Sequence, residues 1–163
     1  LIAVLGLVSL VDLALSFLDI KLSSLFGMKI ELSLKGLLGY IFYPFTVILG
    51  VPLSDAGIIS RIIAERTIVT EVVAYQDLAL AIKEGLLSNP RSAVIATYAL
   101  CGFAHLASMA IFVGGVSALV PKKTRILSEV AFAALLASTL ACLLTACIAG
   151  TFFTKSTVLL GAG

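Results

Sequence analysis

Two stretches of this chain contain no Asp, Glu, Lys or Arg: Ser92–Val120, 29 residues, and Val130–Phe153, 24 residues. Crossing ~30 Å of hydrocarbon takes about 20 apolar residues of helix. Each stretch is long enough, and both expect a bilayer rather than water. Composition agrees. Only 12% of the 163 residues are charged, about half the ~25% usual in soluble domains. That excludes a disordered chain, a nucleic-acid binder and an ordinary soluble domain. A net charge of +2 predicts no polyanionic partner. The chain opens at Leu1, without Met, inside an apolar run, and reads as part of a longer protein.

The remaining charges are clustered, and the clusters divide the chain. Leu1–Leu18 is a borderline span carrying Asp12. The mixed stretch Leu18–Gly36, with Asp19, Lys21, Lys29, Glu31 and Lys35, is placed at a membrane surface. Gly36–Val51 reaches only ~24 Å as a helix and is expected to lie at the interface or to bend at Pro44. Residues 1–35 thus form a scaffold helix and connector, 36–53 an interfacial arm, and 54–163 the functional part. Pro121-Lys122-Lys123-Thr124-Arg125 is the strongest basic cluster between apolar segments and predicts a cytoplasmic turn, with a last span over 125–153.

Residues 54–84 are the informative segment. Val51-Pro52 stops what precedes, and Ser54 or Asp55 offers a cap. Ile58, Ile59, Ile62 and Ile63 form an apolar stripe. Thr67–Thr70 is β-branched throughout, a poor helix former, and a second apolar run follows to Ile82. Each arm is about 20–24 Å long, too short to span. Two half-crossing helices with a tip at Thr67–Glu71 fit the pattern, and so does a surface amphipathic helix. Short interrupted segments point to transporter binding sites, because non-helical backbone at membrane depth must face protein or a wet cavity. Ser92–Val120 reads either as one long tilted helix or as a helix unwound near Cys101–His105, where Gly102 lowers the cost of a turn.

Polar residues at membrane depth are candidates for function. Glu71 sits at the tip of the expected hairpin, where a carboxylate accepts hydrogen bonds from a polar solute; its structural alternative is an ion pair with Arg66 or Arg61. Asp77 is expected to pair with Arg61, and Arg61 or Arg66 with Glu65 or Asp77, across the arms. His105 and Ser108, three apart, share a face and offer donors and acceptors, with Phe103 as an apolar wall; the alternative is interhelical bonding. Asp12 and Asp19 have no assigned mechanism beyond helix-end solvation or a scaffold hydrogen bond. Cys101, Cys142 and Cys147 show no metal-ligand spacing and are expected to pack as small apolar residues. No nucleophile–base motif or phosphate loop is present, so an enzyme is not expected, and neither is a metal or cofactor site.

Three motifs carry a family resemblance. Thr70-Glu71-Val72-Val73-Ala74-Tyr75-Gln76, preceded by Gly50-Val51-Pro52 and Ser54, resembles the N-E-F-V-A-Y hairpin motif of the concentrative nucleoside transporters, the nucleoside:cation symporters. Ala99-Leu100-Cys101-Gly102-Phe103-Ala104-His105, with Ser108 and Gly114-Gly115 beyond, is similar to that family's A-L-C-G-F-A-N. Thr145-Ala146-Cys147-Ile148-Ala149-Gly150 resembles its T-A-x-x-A-G. Thr70 stands for the motif's Asn, Val72 for its Phe, and His105 for the Asn of the broken helix.

The resemblance implies an all-α integral membrane fold, the second of two inverted repeats of an elevator-type homotrimer. It implies a re-entrant hairpin over 54–84 and an unwound helix over 92–120. It places Glu71 and Ser108 on the ribose, Phe103 as an apolar contact and His105 beside them. The coupling ion, sodium or proton, is expected in the N-terminal half of the full-length protein, His105 leaving room for a proton-linked variant. The function so implied is cation-coupled transport of nucleosides across a plasma or inner membrane, with lipid and the nucleoside as partners. The alternative is a non-transporting nucleoside-recognition or structural module.

Overall fold

A computed structural model describes residues 2–26, 33–102 and 104–153, and these are helical with short connections. The described chain is all-α: α1 (Ile2–Phe26), α2 (Leu34–Ile48), α3 (Leu53–Ile68), α4 (Glu71–Lys83), α5 (Pro90–Leu100), α6 (Leu106–Leu119) and α7 (Thr124–Thr151), with a 3-10 turn at Pro121–Lys123.

α1 runs 25 residues to Phe26, past the apolar stretch that ends at Leu18, and Asp19–Phe26 contains no Gly or Pro to end a helix. Residues 27–32 of the expected surface stretch, and the side chain of Asp19, lie outside the described residues. Asp12 has a definite partner: its Oδ1 accepts from the backbone N of Leu34 at 2.8 Å, tying α1 to the start of α2. Ser33 caps α2 by accepting from the N of Gly36 at 2.9 Å. The chain stays helical through Pro44. α2 packs along α3, and Gly39 permits the close approach, since a Cβ there would lie 3.2 Å from Arg61 Cγ.

Local chemistry punctuates the rest. Gly50 turns the chain at φ +87 before Val51-Pro52 starts α3. Gly85, at φ +66, follows α4, a conformation in which a side chain would be strained. Asn89 caps α5 by accepting from the N of Arg91, with Pro90 at the first turn.

α5 is the hub. Ser92–Ala96, Ala99 and Leu100 are buried nearly all round it, in a core shared with Ile59, Ile62 and Ile63 of α3, Ala74, Leu78 and Ala81 of α4, and Leu143 and Ala146 of α7. The α7 stripe Leu135, Thr139, Leu143, Ala146 and Gly150 is buried, a three-to-four-residue spacing that faces one side. Phe132, Leu136, Leu140, Leu144 and Ile148 of the same helix are apolar and exposed. A helix apolar beyond its buried stripe suits a protein interior or a bilayer. Among the described residues only Pro121–Thr151 is one helix long and apolar enough to cross a membrane. The other charge-free stretch is divided between α5 and α6, which excludes the single tilted helix.

Gly150 meets α5 closely: a Cβ there would stand 2.6 Å from Ile95 Cγ1 and 2.8 Å from its Cδ1, and Ile95 is fully buried. Gly150→Ala is therefore expected to destabilise by about 1–3 kcal/mol through overpacking, read as a lower thermal unfolding midpoint of the purified protein. Adding Ile95→Val, which removes Cδ1, should recover part of the loss. An unchanged midpoint in the single variant would show that α5 and α7 separate without cost.

Candidate substrate site at two helix breaks

Two of the breaks between helices, α3/α4 and α5/α6, meet. Between α3 and α4, Val69 (φ −94, ψ −93) and Thr70 (φ −156, ψ 160) leave helical geometry, at the end of the β-branched run. Between α5 and α6, Cys101 takes φ −71, ψ 70 and His105 is extended at φ −134, ψ 158. Phe103, the expected apolar contact, lies outside the described residues.

Glu71 opens α4, and His105 caps α6. The ring Nδ1 of His105 accepts from the backbone N of Ser108 at 3.1 Å. An acceptor Nδ1 puts the ring proton of the neutral imidazole on Nε2. Nε2 stands 2.9 Å from Glu71 Oε2, with the two side chains 6% and 20% exposed. The distance suits an ion pair, and among the described residues Glu71 Oε2 has no other partner and no well-directed hydrogen bond. A buried carboxylate oxygen without a donor is costly unless something else supplies one. Ser108 Oγ donates to His105 O at 3.0 Å. Thr70, Glu71, His105 and Ser108 form one end of a cavity of about 730 Å³ whose further walls, Met109, Phe112 and Val130 among them, are mostly apolar. The lining suits a solute with a hydrogen-bonding part and a less polar part.

Three charged residues behave differently from the sequence expectation. Asp77 pairs not with Arg61 but with Lys35 at 2.8 Å, and Lys35 also holds Glu65 at 2.7 Å. A lysine from α2 thus clamps both arms of the hairpin, because α2 packs along α3, a neighbourhood that spacing along the chain does not reveal. Arg66 joins none of Glu65, Asp77 or Glu71. It is fully buried, and its Nη1 donates to Ala99 O at 2.9 Å and its Nη2 to Gly102 O at 3.1 Å. Cys142 accordingly does more than pack: its Sγ accepts from Arg66 Nη2 at 3.3 Å.

Asp55 does not cap its own helix. Its carboxylate accepts from Ser88 N at 3.0 Å, Asn89 N at 3.1 Å and Ser92 Oγ at 2.6 Å, and from Ser54 Oγ at 3.0 Å. It ties the start of α3 to the start of α5. Tyr75, inside the hairpin motif, donates its hydroxyl to Thr97 O at 2.9 Å. Sequence reasoning passed over Tyr75 as a contact, although a polar tip on an otherwise apolar helix is the signal that marks it.

Comparison with known proteins covers the same region. Residues 1–150 match the family model described as the Na+ dependent nucleoside transporter C-terminus. The chain is 39% identical over 162 residues to mouse solute carrier family 28 member 3, covering 92% of this chain and 22% of that protein. It is 40% identical over 124 residues to the nucleoside permease NupC of Helicobacter pylori, covering 75% of this chain and 30% of the permease. It is similar to CNTnw in an inward-facing substrate-bound state (TM-score 0.71, 32% identity, 90% of this chain and 35% of that one). It is also similar to a CNTnw variant in an outward-facing state (TM-score 0.80, 30% identity, 93% and 36%). This chain therefore spans about a quarter to a third of the relatives it matches. These relatives are membrane transporters and not enzymes, and the chain belongs with them, as a C-terminal region of the concentrative, Na+ dependent nucleoside transporter family.

Proposed function

We propose that this chain is the ribose-holding, C-terminal half of a carrier that moves nucleosides across a membrane by cation-coupled secondary transport. The observation that carries the reading is Glu71 Oε2, buried and, among the described residues, without a well-directed hydrogen bond, at the junction of two helix breaks and facing a mostly apolar cavity. A ribose supplies the hydroxyl donors that this carboxylate lacks, and Ser108 adds a second polar contact. The apolar wall suits the nucleobase end. α3 and α4 are each about 20–24 Å long and serve as a re-entrant hairpin, its tip at Val69–Thr70 near mid-membrane. Solved relatives are described in outward-facing, intermediate and inward-facing states, which supports a carrier that alternates between the two sides; that it is a multi-pass homotrimer in lipid is what the motif resemblance implies. The coupling ion, sodium or proton, binds in the preceding half of the full-length carrier.

The test is uptake of labelled uridine and adenosine into vesicles holding the full-length protein. Saturable uptake that excess nucleoside suppresses, and free nucleobase does not, is the expected result. Ser108→Ala should reduce it about fivefold, the loss of one neutral hydrogen bond of ~1 kcal/mol. Nucleoside binding without uptake would instead establish a recognition module, and absence of both would remove the ribose assignment.

A further inference from the structure

Arg66 is a buried cation without an anion. Among the described residues no carboxylate stands at ion-pairing distance from it, and it is fully buried, with Nε unbonded. Burying a charge in this way is expensive unless the surroundings replace both water and counter-ion. Here the replacement is the end of α5. The last carbonyls of a helix have no partner within it and carry the negative pole of its dipole. The break after Leu100 exposes that pole inside the protein. Arg66 reaches across from the hairpin and takes Ala99 O and Gly102 O, with Cys142 Sγ as a third acceptor. Tyr75 of the other arm takes Thr97 O. Glu71, five residues on, stands near His105, the cap of α6, where the dipole favours an anion. The hairpin thus supplies a cation to one pole of the broken helix and an anion to the other.

Carbonyls freed at an unwound helix, beside a half-helix C-terminus, are the donor set that transporters use to hold a cation. We propose that the Arg66 guanidinium is a tethered cation occupying such a carbonyl-lined position. It holds the α5–α6 break in the shape that brings His105 to Glu71, so that no free ion is bound at this break. Arg66 is a positioning residue: it acts on the solute through the break, and its fork matches two carbonyls that a single rigid helix would not present. The proposal rests on the nucleoside reading for one of its two readouts only.

The experiment uses the full-length protein with Arg66→Lys, Arg66→Met and Arg66→Ala, measuring thermal unfolding and uridine binding. Arg66→Lys keeps the charge but not the fork and should bind between the parent and Arg66→Met, which should lose at least tenfold. Arg66→Ala leaves a hole, and guanidinium ion at tens of millimolar should raise its unfolding midpoint and restore most of its binding, while urea, of the same shape without charge, should not. Arg66→Met binding like the parent would overturn the proposal. So would a folded Arg66→Ala protein indifferent to guanidinium. If the methionine and alanine variants do not fold, Arg66→Lys decides, and its loss of folding or binding overturns the proposal. If the parent itself fails to bind uridine, the nucleoside reading falls, while the guanidinium effect on unfolding still tests Arg66.

Discussion

Glu71→Gln is expected to abolish most nucleoside uptake while leaving the protein folded. The substitution keeps the size of the side chain and removes the charge at a carboxylate oxygen that, among the described residues, lacks a well-directed donor. Hydrogen bonds to a charged acceptor are worth about 1.5–3 kcal/mol against about 1 for neutral ones. Two ribose hydroxyls on Glu71 would make the loss about 2–3 kcal/mol, or roughly 30- to 150-fold in affinity. Stability should change far less. An acid in the first turn of α4 contributes about 0.3–1 kcal/mol through the helix dipole. The distinguishing result is therefore a large fall in uridine binding beside a nearly unchanged unfolding midpoint. Unchanged uptake in Glu71→Gln would place the solute elsewhere and leave Glu71 as the partner of His105 alone.

Asp55→Ala should have the opposite signature, a loss of fold with no direct part in the chemistry. Asp55 is fully buried and collects two backbone N–H groups and two hydroxyls. Alanine leaves Ser92 Oγ, itself buried, and the amides of Ser88 and Asn89 without their acceptor. At about 1–2 kcal/mol for each orphaned donor, with water reaching the exposed Ser88, the cost is about 3–4 kcal/mol. That is a large part of the stability of an ordinary domain, about 5–15 kcal/mol. The measurement is the unfolding midpoint and the yield of monodisperse protein, with Ser92→Ala as a milder companion at ~1 kcal/mol. A midpoint unmoved in Asp55→Ala would mean that core packing alone holds α3 to α5.

How much of this was legible beforehand follows from the range of the interactions. Both helix breaks had local signals, the β-branched Thr67–Thr70 run and Gly102 within an otherwise apolar stretch, but each stretch also fitted an unbroken helix, and the structure decided between them. Glu71, His105 and Ser108 stood out because polar groups are costly at membrane depth, and the structure brings all three to one cavity end. The charge pairings were not legible. Arg61, Arg66, Glu65 and Asp77 are close in sequence, so pairing among them was the natural expectation. Lys35, 30 residues before Glu65 and 42 before Asp77, was the partner instead. Asp55 looked like a helix cap by position and proved to be a tie to a loop 33 residues away.

The sequence by itself determined a helical membrane chain with two segments prone to interruption and a polar group at each. Those properties depend on propensity and on the cost of exposing charge to hydrocarbon, which each residue carries with it. Tertiary structure alone decided which charge meets which partner. An ion or a bare carbonyl is satisfied by whatever packing brings within ~3 Å, and packing is a property of the whole fold. Arg66 shows the difference: its sequence neighbours offered it acids, and the fold gave it the open end of a helix.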